Sequence, residues 1–127
     1  MAARKKISGL LTREGILECS DMKLEKVQTP EWGGHIFVKT FTAAERDLWE
    51  QRQYDFSTEA SRTNARRRVR ANLAAATVCD EKGKLLFTAD DIDRLSEKSA
   101  APLSRIYNVS ARLNHLLAQD VKDLEKN

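Results

Sequence analysis

Lys23-Leu24-Glu25-Lys26-Val27-Gln28-Thr29-Pro30-Glu31-Trp32-Gly33-Gly34-His35-Ile36-Phe37-Val38-Lys39-Thr40-Phe41-Thr42-Ala43-Ala44-Glu45 is the stretch that decides how this chain folds. Lys23 to Thr29 alternates imperfectly around Val27, and His35 to Phe41 is rich in β-branched and aromatic residues, so each predicts a strand. Between them Pro30-Glu31-Trp32-Gly33-Gly34 supplies the proline and paired glycine of a turn. Two strands alone are marginal in water, which requires one face of this hairpin to lie on helices. Thr42 and Glu45 then form a capping box, in which the hydroxyl accepts from the N–H of Glu45 and the carboxylate accepts from the N–H of Thr42. The predicted helix runs from about Ala43 to Tyr54, with Ala44 and Leu48 on one face.

Working outward, Thr12 is an N-cap for a short helix from about Arg13 to Cys19, and Leu11 and Ile16 have the spacing of a hydrophobic staple. Asp55 to Asn64 reads as a polar loop or a frayed helix start. From Ala65 to Cys79, Val69, Leu73 and Ala76 recur at helical spacing, so one face packs while the arginines project outward. Asp80-Glu81-Lys82-Gly83 predicts a turn and Lys84 to Phe87 a short extended piece. Thr88 caps the next helix, with Asp91 in its first turn and Phe87 placed to staple onto Ile92. Ser99 opens the last long helix, whose first turn tolerates Pro102 and whose apolar stripe is Leu103, Ile106, Leu113 and Leu117. The expected fold class is α+β, mainly α-helical: a small helical domain with an N-terminal β-hairpin packed on it. Residues 1–127 are read as a single domain, with a loosely ordered basic leader (1–10) and charged tail (120–127).

Composition narrows the function classes. The 127 residues suffice for one small core. Twenty-two basic against 19 acidic residues leave a net charge of only +3, which describes a mixed surface with local basic clusters and not a polycation. Cys19 and Cys79 have no neighbouring Cys or His at ligand spacing, and are read as buried thiols in a reducing compartment. Met1 to Lys6 is basic, but the stretch after Lys6 is too short and too polar for a signal-peptide core. No stretch approaches the roughly 20 apolar residues of a membrane span.

Motifs with chemistry fail when tested. If Gly83 is the sharp-turn residue of a calcium loop, the first and twelfth ligand positions fall on Val78 and Ala89, which carry no carboxylate. His35 and His115 are the only imidazoles and lack companions for zinc or a triad. Gly33-Gly34 leads into a strand and lacks the Lys-Ser/Thr of a phosphate loop. No catalytic, cofactor-binding or metal residue emerges, so the expectation is a protein that is not an enzyme and uses no cofactor.

Binding surfaces are more legible. Trp32, Trp49, Tyr54 and Phe56 stand at element edges, where aromatics serve as interface anchors as well as packing groups. Arg66, Arg67, Arg68 and Arg70 form the sharpest charge run. A solvated helix face, an acidic protein partner and nucleic acid all remain open readings, although base-stacking aromatics and a wider basic face do not accompany the run.

Several segments, in order, resemble the tail assembly chaperones of long-tailed bacteriophages: Leu24 to Val27 before Pro30 to Gly34, Ala44-Glu45-Arg46-Asp47, Cys79 to Gly83, Leu86-Phe87, Ile92 with Leu95, and Ser99 to Leu103 leading to Arg112-Leu113-Asn114. The resemblance covers roughly Thr12 to Asn127. It implies a non-structural protein of the host cytoplasm that binds the tape measure protein, helps recruit tail tube subunits and is absent from the mature virion. It also implies self-association and a longer form made by ribosomal frameshifting, which the final Lys126-Asn127 permits, since AAA-AAC encodes it. The Ala2 to Lys6 leader and the arginine run are not assigned by the resemblance to the family's contact surface. The competing class is a small basic helical protein that binds nucleic acid or regulates transcription.

Isolated His and Cys residues predict that no ion stabilises the fold. Melting temperatures in chelator and in excess calcium or zinc are expected to coincide; a rise of several degrees with either metal would overturn this, because a bound ion stabilises the folded state by mass action.

Overall fold

The computed structural model describes residues 9–53 and 68–116. It is a small α+β fold in which a three-stranded antiparallel sheet, ordered β1-β2-β3, packs with helices. In chain order the elements are α1 (Arg13–Glu18), β1 (Leu24–Thr29), a 3-10 turn (Pro30–Trp32), β2 (Gly34–Lys39), α2 (Ala43–Gln53), α3 (Val69–Thr77), β3 (Val78–Cys79), a second 3-10 turn (Ala89–Asp91), α4 (Ile92–Ser96) and α5 (Ala100–Leu113).

The hairpin forms where expected. Leu24 pairs with Lys39 and Thr29 with Gly34, and Lys23 and Thr40 extend the pairing by one residue. Gly33 sits at φ +81°, a conformation a side chain strains, and closes the turn by donating to the Pro30 carbonyl. The buried Thr29 hydroxyl donates to the Gly34 carbonyl at 2.9 Å, so burying it leaves nothing unpaired.

The first departure lies at the end of α3. The helical period predicts a helix running on to Cys79; instead Val78 and Cys79 leave the helix and pair with Val38 and Phe37 as a third strand. Leu85 returns in a bridge to Cys79, around the turn closed by Gly83 at φ +84°. Asp80 holds that turn by accepting from the N–H groups of Lys84 and Lys82, in that order of effect, and its carboxyl lies below its ordinary value. The sheet therefore outgrows the lone hairpin.

Val27, Val38 and Val78 on the inner face of the sheet meet Leu103 and Ile106 of α5 and Ala74 of α3. A smaller cluster of Ala71, Ala75 and Leu95 joins α3 to α4. Phe87 packs against both. Between α3 and α5, Thr77 and Ser110, both fully buried, share a 2.8 Å hydrogen bond while Thr77 also donates to the Leu73 carbonyl. Two hydroxyls can occupy this position because each finds a partner without water.

Asn114 ties the last helix to the end of β2. Its Oδ1 accepts from the N–H of Phe41 at 2.7 Å, and its Nδ2 donates to the carbonyls of Lys39 and Ser110. The Arg46 guanidinium donates to the Asn114 carbonyl from α2. α5 stops here, one turn short of the expected stripe to Leu117, which lies outside the described residues. His115 takes φ 55°, its N–H donates to the Arg112 carbonyl, and that of Leu116 donates to the Ala111 carbonyl; these are the two bonds of a Schellman ending.

Two other expectations fail. Leu11 and Ile16 are 72% and 54% exposed, and α1 buries no residue, so the expected staple covers nothing. Cys19 is exposed, against the expectation of burial; Cys79 is buried, and that burial raises its thiol pKa. On α2, Ala44 and Leu48 face solvent, and Glu45, Arg46 and Trp49 are the inward side. These polar groups turn inward because Lys39 and Asn114 stand there to meet them.

Asn114→Ala strands the Phe41 N–H and removes the side-chain donor to the Lys39 carbonyl, and is expected to cost about 2–4 kcal/mol in urea unfolding. Arg112→Ala, which breaks an exposed pair with Glu25, should cost less than about 1 kcal/mol.

Candidate functional site

The capping box places the site. Glu45 Oε1 accepts from the Thr42 N–H at 2.9 Å and the Thr42 hydroxyl accepts from the Glu45 N–H at 3.0 Å, which fixes where α2 begins after β2. That start sets Glu45, Leu48, Trp49 and Arg52 in one stripe, at spacings of three and four residues. Opposite, α3 contributes Asn72, Ala75 and Ala76, also one helical stripe. Leu85, Phe87 and Ile92 complete the wall, and the open groove between them holds about 320 Å³. The alanines give it depth, since a larger side chain at either position would fill it.

Trp49 stacks at a 34° tilt on Phe41, ring centroids 5.6 Å apart. Its Nε1–H is buried without a hydrogen-bond partner among the described residues, a condition that costs about 1–3 kcal/mol. Glu45 at the rim also receives the nearly buried Lys39 ammonium at 2.5 Å. Burial would raise the Glu45 carboxyl pKa, but the Lys39 and Thr42 hydrogen bonds outweigh it and hold the value low. The Glu45 charge is thereby balanced inside the fold, and Arg52 remains at the rim with no ion pair among the described residues.

The other sequence candidates scatter. Trp32, 38% exposed, stands at the hairpin turn, about 20 Å along β2 from the start of α2 by strand rise. Its neighbour Glu31 takes a two-pronged hydrogen bond from Arg105 of α5, the chief reason its carboxyl lies below the ordinary value. Arg68 precedes α3 and pairs with Asp93 of α4. Arg70 is exposed and shares a small hollow of about 100 Å³ with Arg68 and Lys98. Tyr54, Phe56, Arg66 and Arg67 lie outside the described residues. Of the two named aromatics among the described residues, Trp49 is placed in the groove and Trp32 is not. Its opposite wall is not evident in the sequence, although the small-residue run Ala74-Ala75-Ala76 marks where another element can approach closely. Among the described residues no group of three His, Cys, Asp or Glu could hold a metal, and no helix is long and apolar enough to cross a membrane.

No protein-family profile matches the chain, and no curated protein matches it in sequence. Its fold is similar to a solved structure described as that of the bacteriophage HK97 tail assembly chaperone. The two superpose with a TM-score of 0.53 over 72% of this chain and 85% of that one, at 16% sequence identity. At that identity the likeness establishes a shared fold.

Because the folded Glu45 carboxyl titrates below its ordinary value of 4.5, the stability it contributes is complete above that pH and is lost as pH falls through the lowered value. Glu45→Gln should therefore melt lower than the parent near pH 7, by roughly 1 kcal/mol. The gap should close as acidification carries the pH below 4.5 and through the lowered value.

Proposed function

We propose that this protein is a tail assembly chaperone of a long-tailed bacteriophage, a non-enzymatic factor that binds the tape measure protein and helps bring tail tube subunits to it. The observation that carries the reading is the fold shared with the HK97 tail assembly chaperone over most of both chains. The groove adds a physical means, an open apolar surface flanked by an aromatic anchor and able to cover apolar helical segments. The ordered sequence segments from Leu24 to Asn114 point the same way. Arg68 spends its charge on Asp93, Arg105 on Glu31 and Arg112 on Glu25, so these cations serve the fold and do not form a free basic face for nucleic acid. On this reading the protein acts in the host cytoplasm and is absent from the finished particle.

Co-expression with the tape measure protein, followed by a solubility assay and pull-down, tests the proposal. The partner should be markedly more soluble with the chain present and recovered in complex; equal solubility and no complex would sink the assignment. Trp49→Ala, verified as folded, should weaken the complex at least tenfold at any salt concentration, as loss of a buried anchor does. Arg66, Arg67, Arg68 and Arg70 changed together to Gln should act mainly by slowing association.

A further inference from the structure

The geometry points to one occupant for the groove between α2 and α3: an amphipathic helix of a partner that presents a bulky apolar residue and, one turn along, an Asp or Glu. Four observations carry this. The long walls are stripes of two helices, Glu45-Leu48-Trp49-Arg52 and Asn72-Ala75-Ala76, and the channel between two such stripes fits a third helix. Its volume, about 320 Å³, suits one or two large side chains seated against Leu48, Trp49 and Phe87. The charge at its rim is unbalanced in one direction. Glu45 is satisfied by Lys39 and by the Thr42 N–H, whereas Arg52 has no ion pair among the described residues. An acidic group on the occupant completes that arrangement, and a basic one there would face Arg52 with Glu45 already engaged. Finally, Trp49 Nε1–H has no acceptor among the described residues; an oxygen arriving beside the ring recovers that bond once the indole turns toward it. The helical form of the occupant rests on the channel's shape together with the chaperone reading, while its apolar-plus-acidic chemistry rests on the groove alone.

The full chain, labelled with ¹⁵N, provides a direct test, because Trp32 and Trp49 are its only indoles and a Trp32→Phe variant assigns their two N–H signals. The probes are stapled alanine-based helices of about 14 residues, roughly four turns. One carries Leu with Glu four positions on; others replace that Glu by Gln or Lys, and a last replaces the Leu by Ser. The Leu–Glu helix should move the Trp49 signal and leave that of Trp32 in place. It should bind at least tenfold more tightly than the Leu–Lys helix, and Arg52→Gln, a change at an exposed position, should bring the two within about threefold. The inference is overturned if no helix moves the Trp49 signal, if Glu and Lys helices bind alike, or if the Ser control binds as well as the Leu helix. It is equally overturned if dilution of the protein alone moves that signal, since a second copy then fills the groove. Failure of the co-expression experiment with a positive result here would remove the chaperone reading and leave the groove's chemistry standing; the opposite pair of results would do the reverse.

Discussion

A single buried amide, that of Asn114, holds together the two halves on which everything else is arranged. It lies 75 residues from Lys39 and 73 from Phe41 in sequence, yet it supplies an acceptor to one backbone and a donor to the other. The end of β2 is a place where backbone groups have left the ladder and have not yet joined a helix, so they need partners from outside. Asn is suited to the position because one side chain offers both functions. The direction of α2, and with it the seat of Trp49, depends on this junction, since Arg46 of α2 grips the carbonyl of the same residue.

The rest of the fold compensates for a small core. Few large side chains are fully buried, with Leu73 and Ile106 the biggest, and α3 contributes mostly alanine. Close approach of helices takes the place of bulk, and the buried hydroxyls of Thr29, Thr77 and Ser110 each have a hydrogen-bond partner. At the hairpin turn the Arg105 fork on Glu31 does by geometry what the exposed tip cannot do by burial, fixing the turn to α5 through two parallel bonds and a third to the Gln28 carbonyl.

Local signals are readable in this chain and distant ones are not. The hairpin, the Thr42–Glu45 capping box, the Thr88 cap, the glycine turn at Gly83 and the apolar stripe of α5 all stand in the sequence, because each depends on residues within a few positions of one another. The spacing in α2 places Ala44 and Leu48 on one face without saying which face is buried, since what draws Arg46 inward is Asn114, 68 residues away, and no periodicity reports a partner so remote. β3 escapes for a related reason. Two residues are too few to show alternation, and Val78-Cys79 reads equally well as the last turn of an apolar helix until β2 is beside it. Of the candidate site, Trp49 is visible as an aromatic at an element edge, whereas the groove exists only when the Leu85 to Ile92 segment crosses opposite it. Trp32 and the described arginines carry equally suggestive chemistry but are placed at other parts of the surface.

Phe87 belongs at once to the main core, to the α3–α4 cluster and to the lining of the groove. A side chain with three such obligations is hard to replace without loss of fold, and Phe41, which supports Trp49 and donates its N–H to Asn114, is similarly bound. The freedom to vary what the groove accepts then falls to positions that touch solvent on one side and the opening on the other, chiefly Leu48 and Arg52. The fold thus separates what must be kept from what can diverge, and lineages sharing this architecture could exchange one partner for another by altering a single exposed edge of α2.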